Sequence, residues 1–378
     1  MSNGAERERL RFGAGMGLTA ALFLVASAPA AADEVPPALS QVTPELPGDA
    51  CAPSSTETVD QELWTENALG LSRARSVSSG AGVTVAVVGS GVDDSSAALD
   101  GAVEGAGEDC VGFGTFLAGV VAARPLPDSG LVGVAPEARV LAVPITGARG
   151  GADADAVAEG ITDAVDGGAD IVLVGVAVPV GSSALEAAVD TAVEEDVLIV
   201  APSTALVQRE AYAAVPAARG EVLGVAGTDT DGSLLVGGAS APDLTAPGQS
   251  VLSLAPGGDG HAVSEGDTVA AAFVAGVAAL VRSHDPELSA PQTAERLVLS
   301  AYPRPGAGFV DPVGALTRSL GPRSGDGVEE ERFALDLPME PTKGRVMAVV
   351  GATALLVTVC AVGAAAVRRR KTKAAAAL

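Results

Sequence analysis

The sequence predicts an α/β protein with a mostly parallel central sheet covered by helices, followed by one C-terminal membrane span. Two patterns predict it. Between about residues 80 and 320, short apolar runs alternate with longer stretches of helical period, the arrangement that builds parallel strands joined by crossover helices. Near the end, "VMAVVGATALLVTVCAVGAAAV" (346–367) carries no charge and is long enough to cross a ~30 Å hydrocarbon layer as a helix.

Taken in order, residues 1–32 read as a secretory signal peptide. Arg7, Arg9 and Arg11 precede an apolar run that ends in the small residues Ala30, Ala31 and Ala32. Residues 33–79 form an N-terminal extension whose first part, rich in proline, serine and acid, shows no period and reads as an extended arm wrapping the domain. The domain itself, 80–320, has strands expected at "VTVAVVGSG", "RVLAVPIT", "DIVLVGVAV", "VLIVAPS" and "EVLGVAGT". Helices are expected at "ADADAVAEGITDAVDGG" and "SSALEAAVDTAVEED", each with acid in its first turns where the helix dipole favours it, and at 268–283 and 289–301. Residues 321–345 are a polar, proline-containing tether, 346–367 the span, and 368–378 a basic tail. Because basic residues stay on the cytoplasmic side, "RRRKTK" places the large domain outside the cell membrane and the C-terminus inside.

A net charge of −24 argues against nucleic acid, whose phosphates need clustered Lys and Arg. Of the three cysteines, Cys51 and Cys110 fall in the exported part, where a disulfide forms and persists, and Cys360 falls in the span. Two free thiols are the alternative for the first pair. No cofactor or metal is implied, since neither Cys-x-x-Cys nor His-Glu-x-x-His occurs. Asp93, Asp94, Glu108 and Asp109 read as solvated turn carboxylates rather than cation ligands.

Four blocks carry a resemblance. "VTVAVVGSGVD", "EDCVGFGTFLAGVVAA", "LVGVAPEARVLAV" and "GDTVAAAFVAGVAALV", the last preceded by "APG" at 246–248, occur in the order and spacing of subtilisin-like serine proteases. With Cys110 in place, the sequence most resembles the mycosins, the membrane-anchored members that accompany type VII secretion. The resemblance implies a three-layer subtilisin-like fold. It also implies that the triad positions hold Gly89 for aspartate, Phe113 for histidine and Thr268 for serine, and that Ser203 stands near the oxyanion donor.

A triad needs an imidazole to take the nucleophile's proton and a carboxylate to orient that imidazole. Gly89 and Phe113 fill neither role, and an unaided alcohol is a poor nucleophile near neutral pH. The expectation is therefore a pseudoprotease, not an enzyme, acting as a structural or binding component. Its partners, by resemblance, are type VII membrane-complex proteins or exported substrates. The alternative is an atypical serine/threonine endopeptidase using Thr268 with His261, just upstream in "PGGDGHAVSEGDT", or with water. His261 otherwise reads as an exposed loop residue, and His284 as a C-terminal helix cap. Gly114, Thr115 and Gly266 are expected to serve packing, with the Phe113 ring filling volume left by the missing acid and imidazole.

Overall fold

The computed structural model of the chain describes residues 39–237, 239–318 and, near the C-terminus, 355, 356, 358, 359, 362 and 363. Two units separate by contact, Met1–Ser319 and Leu320–Leu378. The expected signal peptide, tether and basic tail lie outside the described residues. So does most of the expected span; its six described residues are helical and exposed. Among the described residues no helix is long and apolar enough to cross a membrane.

The first unit is built on eight strands: β1 (Thr84–Gly89), β2 (Val103–Glu104), β3 (Arg139–Pro144), β4 (Ile171–Val174), β5 (Leu198–Pro202), β6 (Leu223–Thr228), β7 (Leu244–Pro247) and β8 (Gly308–Phe309). They pair in the order β8-β7-β6-β5-β4-β1-β3-β2, and every pairing is parallel. Such a sheet needs cover on both faces, and the strand sequences are apolar at successive positions for that reason. Along β1, Val85 and Val87 join one core while Ala86 and Val88 join the other. Ile171 and Leu173 against Val172 and Val174 divide in the same way along β4. The sheet is thus the middle of three layers.

One face is covered by α1 (Phe113–Ala122) and α4 (Asp267–His284), the other by α2 (Ala154–Asp166) and α3 (Ser183–Glu194); α5 (Ala290–Ser300) and α6 (Pro312–Thr317) complete the unit. The outer helices are amphipathic and conventionally capped. Asp153 accepts from the Ala156 N–H, Ser182 from that of Leu185, and Ser289 forms a capping box with Gln292. By contrast, α4 is buried at every position from Asp267 to Val281. Its small side chains permit that depth: a Cβ on Gly276 would stand 2.6 Å from Val134 Cβ, so backbone and neighbouring side chain meet with no room for a methyl.

The arm runs extended over this unit. Ser40–Gln41 pairs in parallel with strand His261–Ser264, which is itself antiparallel to Val251–Leu254. Further on, the Leu46 N–H donates to Arg149 O, and the Ala52 N–H to Cys110 O beside a Cys51–Cys110 disulfide. Two short helices, Trp64–Leu69 and Leu71–Arg75, end the extension, and the hairpin Thr204–Val207/Glu210–Ala213 follows β5.

Candidate active site

An open cleft of about 570 Å³ lies at the carboxyl ends of the central strands. Gly151 follows β3, Val176 and Ala177 follow β4, and Thr204 follows β5; all four line it, together with Phe113, Asp267 and Thr268. In an open parallel sheet this is where ligands bind, because the crossovers leave a crevice beyond the strand ends.

Phe113 opens α1, and the turn that holds it is over-determined. Gly112 takes φ 75°, which a side chain resists, and Asp109 accepts from the N–H groups of Gly112 and Thr115 and from the Thr115 hydroxyl, all at 2.8 Å. Asp109 is therefore a buried helix-capping acid, which corrects its reading as a solvated turn residue. Asp93 also departs from that reading. Its carboxylate accepts from the N–H groups of Ser95 and Gly257, and although partial burial opposes ionisation these bonds hold its pKa below the ordinary value. Among the described residues no group of three or more His, Cys, Asp or Glu side chains is arranged to hold a metal ion.

Gly114 donates to Ser90 Oγ at 2.9 Å, and a Cβ on it would meet Gly91 O at 1.9 Å, so only glycine fits where α1 abuts the turn after β1. The Phe113 ring is 3% exposed and lies parallel to Phe116, centroids 6.4 Å apart. It therefore packs inward, as expected of a large apolar ring. Gly89 ends β1, buried, with its carbonyl accepting from the Ile145 N–H.

Thr268 is the second residue of α4 and is 7% exposed, sharing the cleft wall with Phe113. Gly266 precedes the helix at φ 130°, a conformation that glycine adopts without strain. Ser203 is brought to the same place, though its hydroxyl donates to Asp267 Oδ2 at 3.0 Å and so is not presented to an incoming oxyanion. Asp267 was not singled out by the sequence reading. Its second oxygen accepts from the Gly227 N–H at 2.8 Å. Burial raises its pKa against the opposing effect of the hydrogen bonds from Gly227, Thr204 and Ser203. The available clue was an acid at the start of an otherwise apolar helix, where the dipole welcomes negative charge.

His261 is not brought to Thr268. It is 1% exposed, its Nδ1 accepts from the Val59 N–H at 2.9 Å, and its Nε2 meets Ser129 Oγ at 3.1 Å. With Nδ1 accepting, the proton sits on Nε2 and is donated to the serine. Both the displaced-base and the exposed-loop readings are corrected: the ring clamps the arm. Burial lowers its pKa, as expected for an imidazole kept neutral. His284 is the last residue of α4, where a basic group suits the helix end.

Comparison with known proteins places this geometry. The model of the "Subtilase family" matches residues 80–331. Mycosin-1 of Mycobacterium tuberculosis (strain ATCC 25618 / H37Rv) is 28% identical over 388 residues, spanning 81% of this chain and 87% of the mycosin. Among solved structures, a serine protease MycP1, described as an essential component of the type VII (ESX-1) secretion system, superposes with TM-score 0.62 at 25% identity over 74% of this chain and all of its own. The MycP3 protease of the type VII (ESX-3) system does so with TM-score 0.60 at 29% identity, over 75% of this chain and all of its own.

These findings correct the expectation that the chain is not an enzyme. The solved MycP1 and MycP3 relatives, whose whole length superposes on about three quarters of this chain, are described as proteases, so an inactive reading does not stand on Gly89, Phe113 and Thr268 alone. With the family match running over residues 80–331, more than half of its length, this chain belongs to the subtilase family.

Proposed function

We propose that the chain is a mycosin-like subtilase that works with a type VII secretion system outside the cell membrane and cuts extended polypeptide through Thr268, as an atypical threonine endopeptidase. The observation that carries the reading is the placement of a hydroxyl, Thr268, in the wall of an open cleft at the first turn of an 18-residue helix buried from Asp267 to Val281. The unpaired N–H groups of such a turn favour negative charge and so favour the oxyanion formed when an alcohol adds to an amide. The expected signal peptide at 1–32 and span at 346–367 support the exported, anchored location. The type VII link is supported by what the MycP1 and MycP3 relatives are described as belonging to.

In this proposal water takes the Thr268 proton as the hydroxyl oxygen bonds to the amide carbon, a proton from water goes to the amine nitrogen as the C–N bond breaks, and a second water hydrolyses the acyl-threonine ester. His261 is committed to the arm, and His284 lies sixteen residues further along α4, ~24 Å away at 1.5 Å per residue. Without an imidazole, turnover is expected to lie on the order of 10⁶ below that of an intact triad. The remaining acceleration over water, roughly 10³–10⁴, comes from binding and oxyanion stabilisation.

The test is hydrolysis of a quenched-fluorescence peptide library by the full chain in detergent micelles, beside Thr268→Ala. Slow cleavage that the substitution abolishes is expected. Cleavage that is unchanged in Thr268→Ala, or no cleavage above buffer, overturns the proposal.

A further inference from the structure

Five consecutive residues of the N-terminal arm, Gln41–Glu45, line the same cleft as Phe113 and Thr268. They are held at both ends. At one end the Val42 N–H donates to Val263 O at 3.0 Å, Ser264 Oγ donates to Val42 O at 2.7 Å, and Val42 itself is buried in the main core. At the other end Glu45 bridges Gly150 in antiparallel fashion and the Leu46 N–H donates to Arg149 O at 2.9 Å. The seat on Gly150 is shaped for the arm, since a Cβ there would stand 2.2 Å from Pro44 O. A segment pinned in this way is a fixed wall, not a loose tail.

The chemistry of the cleft is one-sided. Its lining contains three carboxylates, Glu45, Glu265 and Asp267, and no lysine, arginine or histidine. Glu45 and Glu265 are exposed, and neither makes an ion pair among the described residues. They come from separate elements, the arm and the turn before α4. The remaining lining is largely apolar, with Val176, Leu206, Leu235 and Val236; Leu206 is 62% exposed, a large side chain left in water beside the cleft.

We infer that the arm acts as a substrate-contacting wall, and that Glu45 on it, together with Glu265, makes the cleft select polypeptide segments carrying lysine or arginine next to an apolar residue. The apolar side chain removes Leu206, Leu235 and Val236 from water, and the cation meets carboxylates that make no ion pair among the described residues. A segment bearing acid at the same place brings like charges together and is disfavoured. The inference rests on the reading that the cleft takes polypeptide.

Its test is fluorescence anisotropy on the full chain in detergent micelles. The probes are labelled nine-residue alanine-based peptides with a central leucine, differing only in whether lysine, glutamine or glutamate stands beside it. Lysine peptides are expected to bind roughly tenfold tighter than glutamine peptides, since two exposed ion pairs each contribute a few-fold, and glutamate peptides weaker still. The preference shrinks at high salt and falls to near unity in Glu45→Gln/Glu265→Gln. Equal affinity for lysine and glutamine peptides in the parent, or a lysine preference that survives the double substitution, overturns the inference and leaves polypeptide binding standing. Failure of every peptide to bind overturns both.

Discussion

Gly89→Asp, Phe113→His and Thr268→Ser, made together, should accelerate the proposed hydrolysis by orders of magnitude. Gly89 has no positive φ, and a Cβ built on it finds only Gly175 Cα, at 3.8 Å, an ordinary van der Waals contact, so the Cβ of an aspartate enters without moving the backbone. Phe113 is the costly position. Its ring is 3% exposed and stacked on Phe116, and shrinking it to an imidazole forfeits about 2 kcal/mol of packing, with about 1 kcal/mol more for the Thr268 methyl. A domain stable by ~5–15 kcal/mol tolerates that loss. Against it stands the contribution of a complete triad, on the order of 10⁶ in turnover or ~8 kcal/mol of transition-state stabilisation. The gain is cooperative, because an imidazole without its acid or its nucleophile recovers little, so the three single variants should stay near the parent rate. Peptide hydrolysis is measured beside a thermal melt of each variant. A triple variant that melts within a few degrees of the parent yet hydrolyses no faster would refute the assignment of these positions.

Replacing Cys51 and Cys110 by serine opens a loop with a sequence separation of 59. The chain-entropy model gives about 4 kcal/mol for a loop of that size, so the melting temperature is expected to fall by on the order of 10 °C; a fall below about 2 °C contradicts it. His261 supplies a pH dependence. Burial holds its folded pKa below the ordinary 6.5, so on acidification the unfolded chain takes the proton first, and stability that is complete above about pH 6.5 is lost as the pH falls through the folded value. His261→Gln should lower stability at pH 7.5 by about 1–3 kcal/mol through the lost clamp on Val59, and should flatten the acid slope; a slope as steep as the parent's assigns the acid response to other groups.

Legibility in the sequence followed the range of the interactions involved. The five strands read from apolar runs became β1, β3, β4, β5 and β6, and the four helices appear within one or two residues of their expected bounds, because an element buried on both faces or along one stripe writes its period into consecutive residues. The short strands β2, β7 and β8, the hairpin after β5 and the two helices of the extension were not read as such. Each is short, and its form is set by neighbours distant in the chain: Leu244, for example, is held in β7 by pairing with Val225 and Gly308. Gly89, Phe113 and Thr268 were marked out by the motifs around them, and the inward packing of Phe113 follows from its chemistry.

By itself the sequence determined the α/β class, the parallel sheet and the family, since all of these rest on local period and ordered motifs. Only the tertiary structure decided that His261 serves the arm, that Asp267 takes the hydroxyl of Ser203, and that residues 41–45 form part of the cleft wall. Those outcomes depend on hydrogen bonds across separations of 202, 64 and more than a hundred residues, which no local pattern encodes.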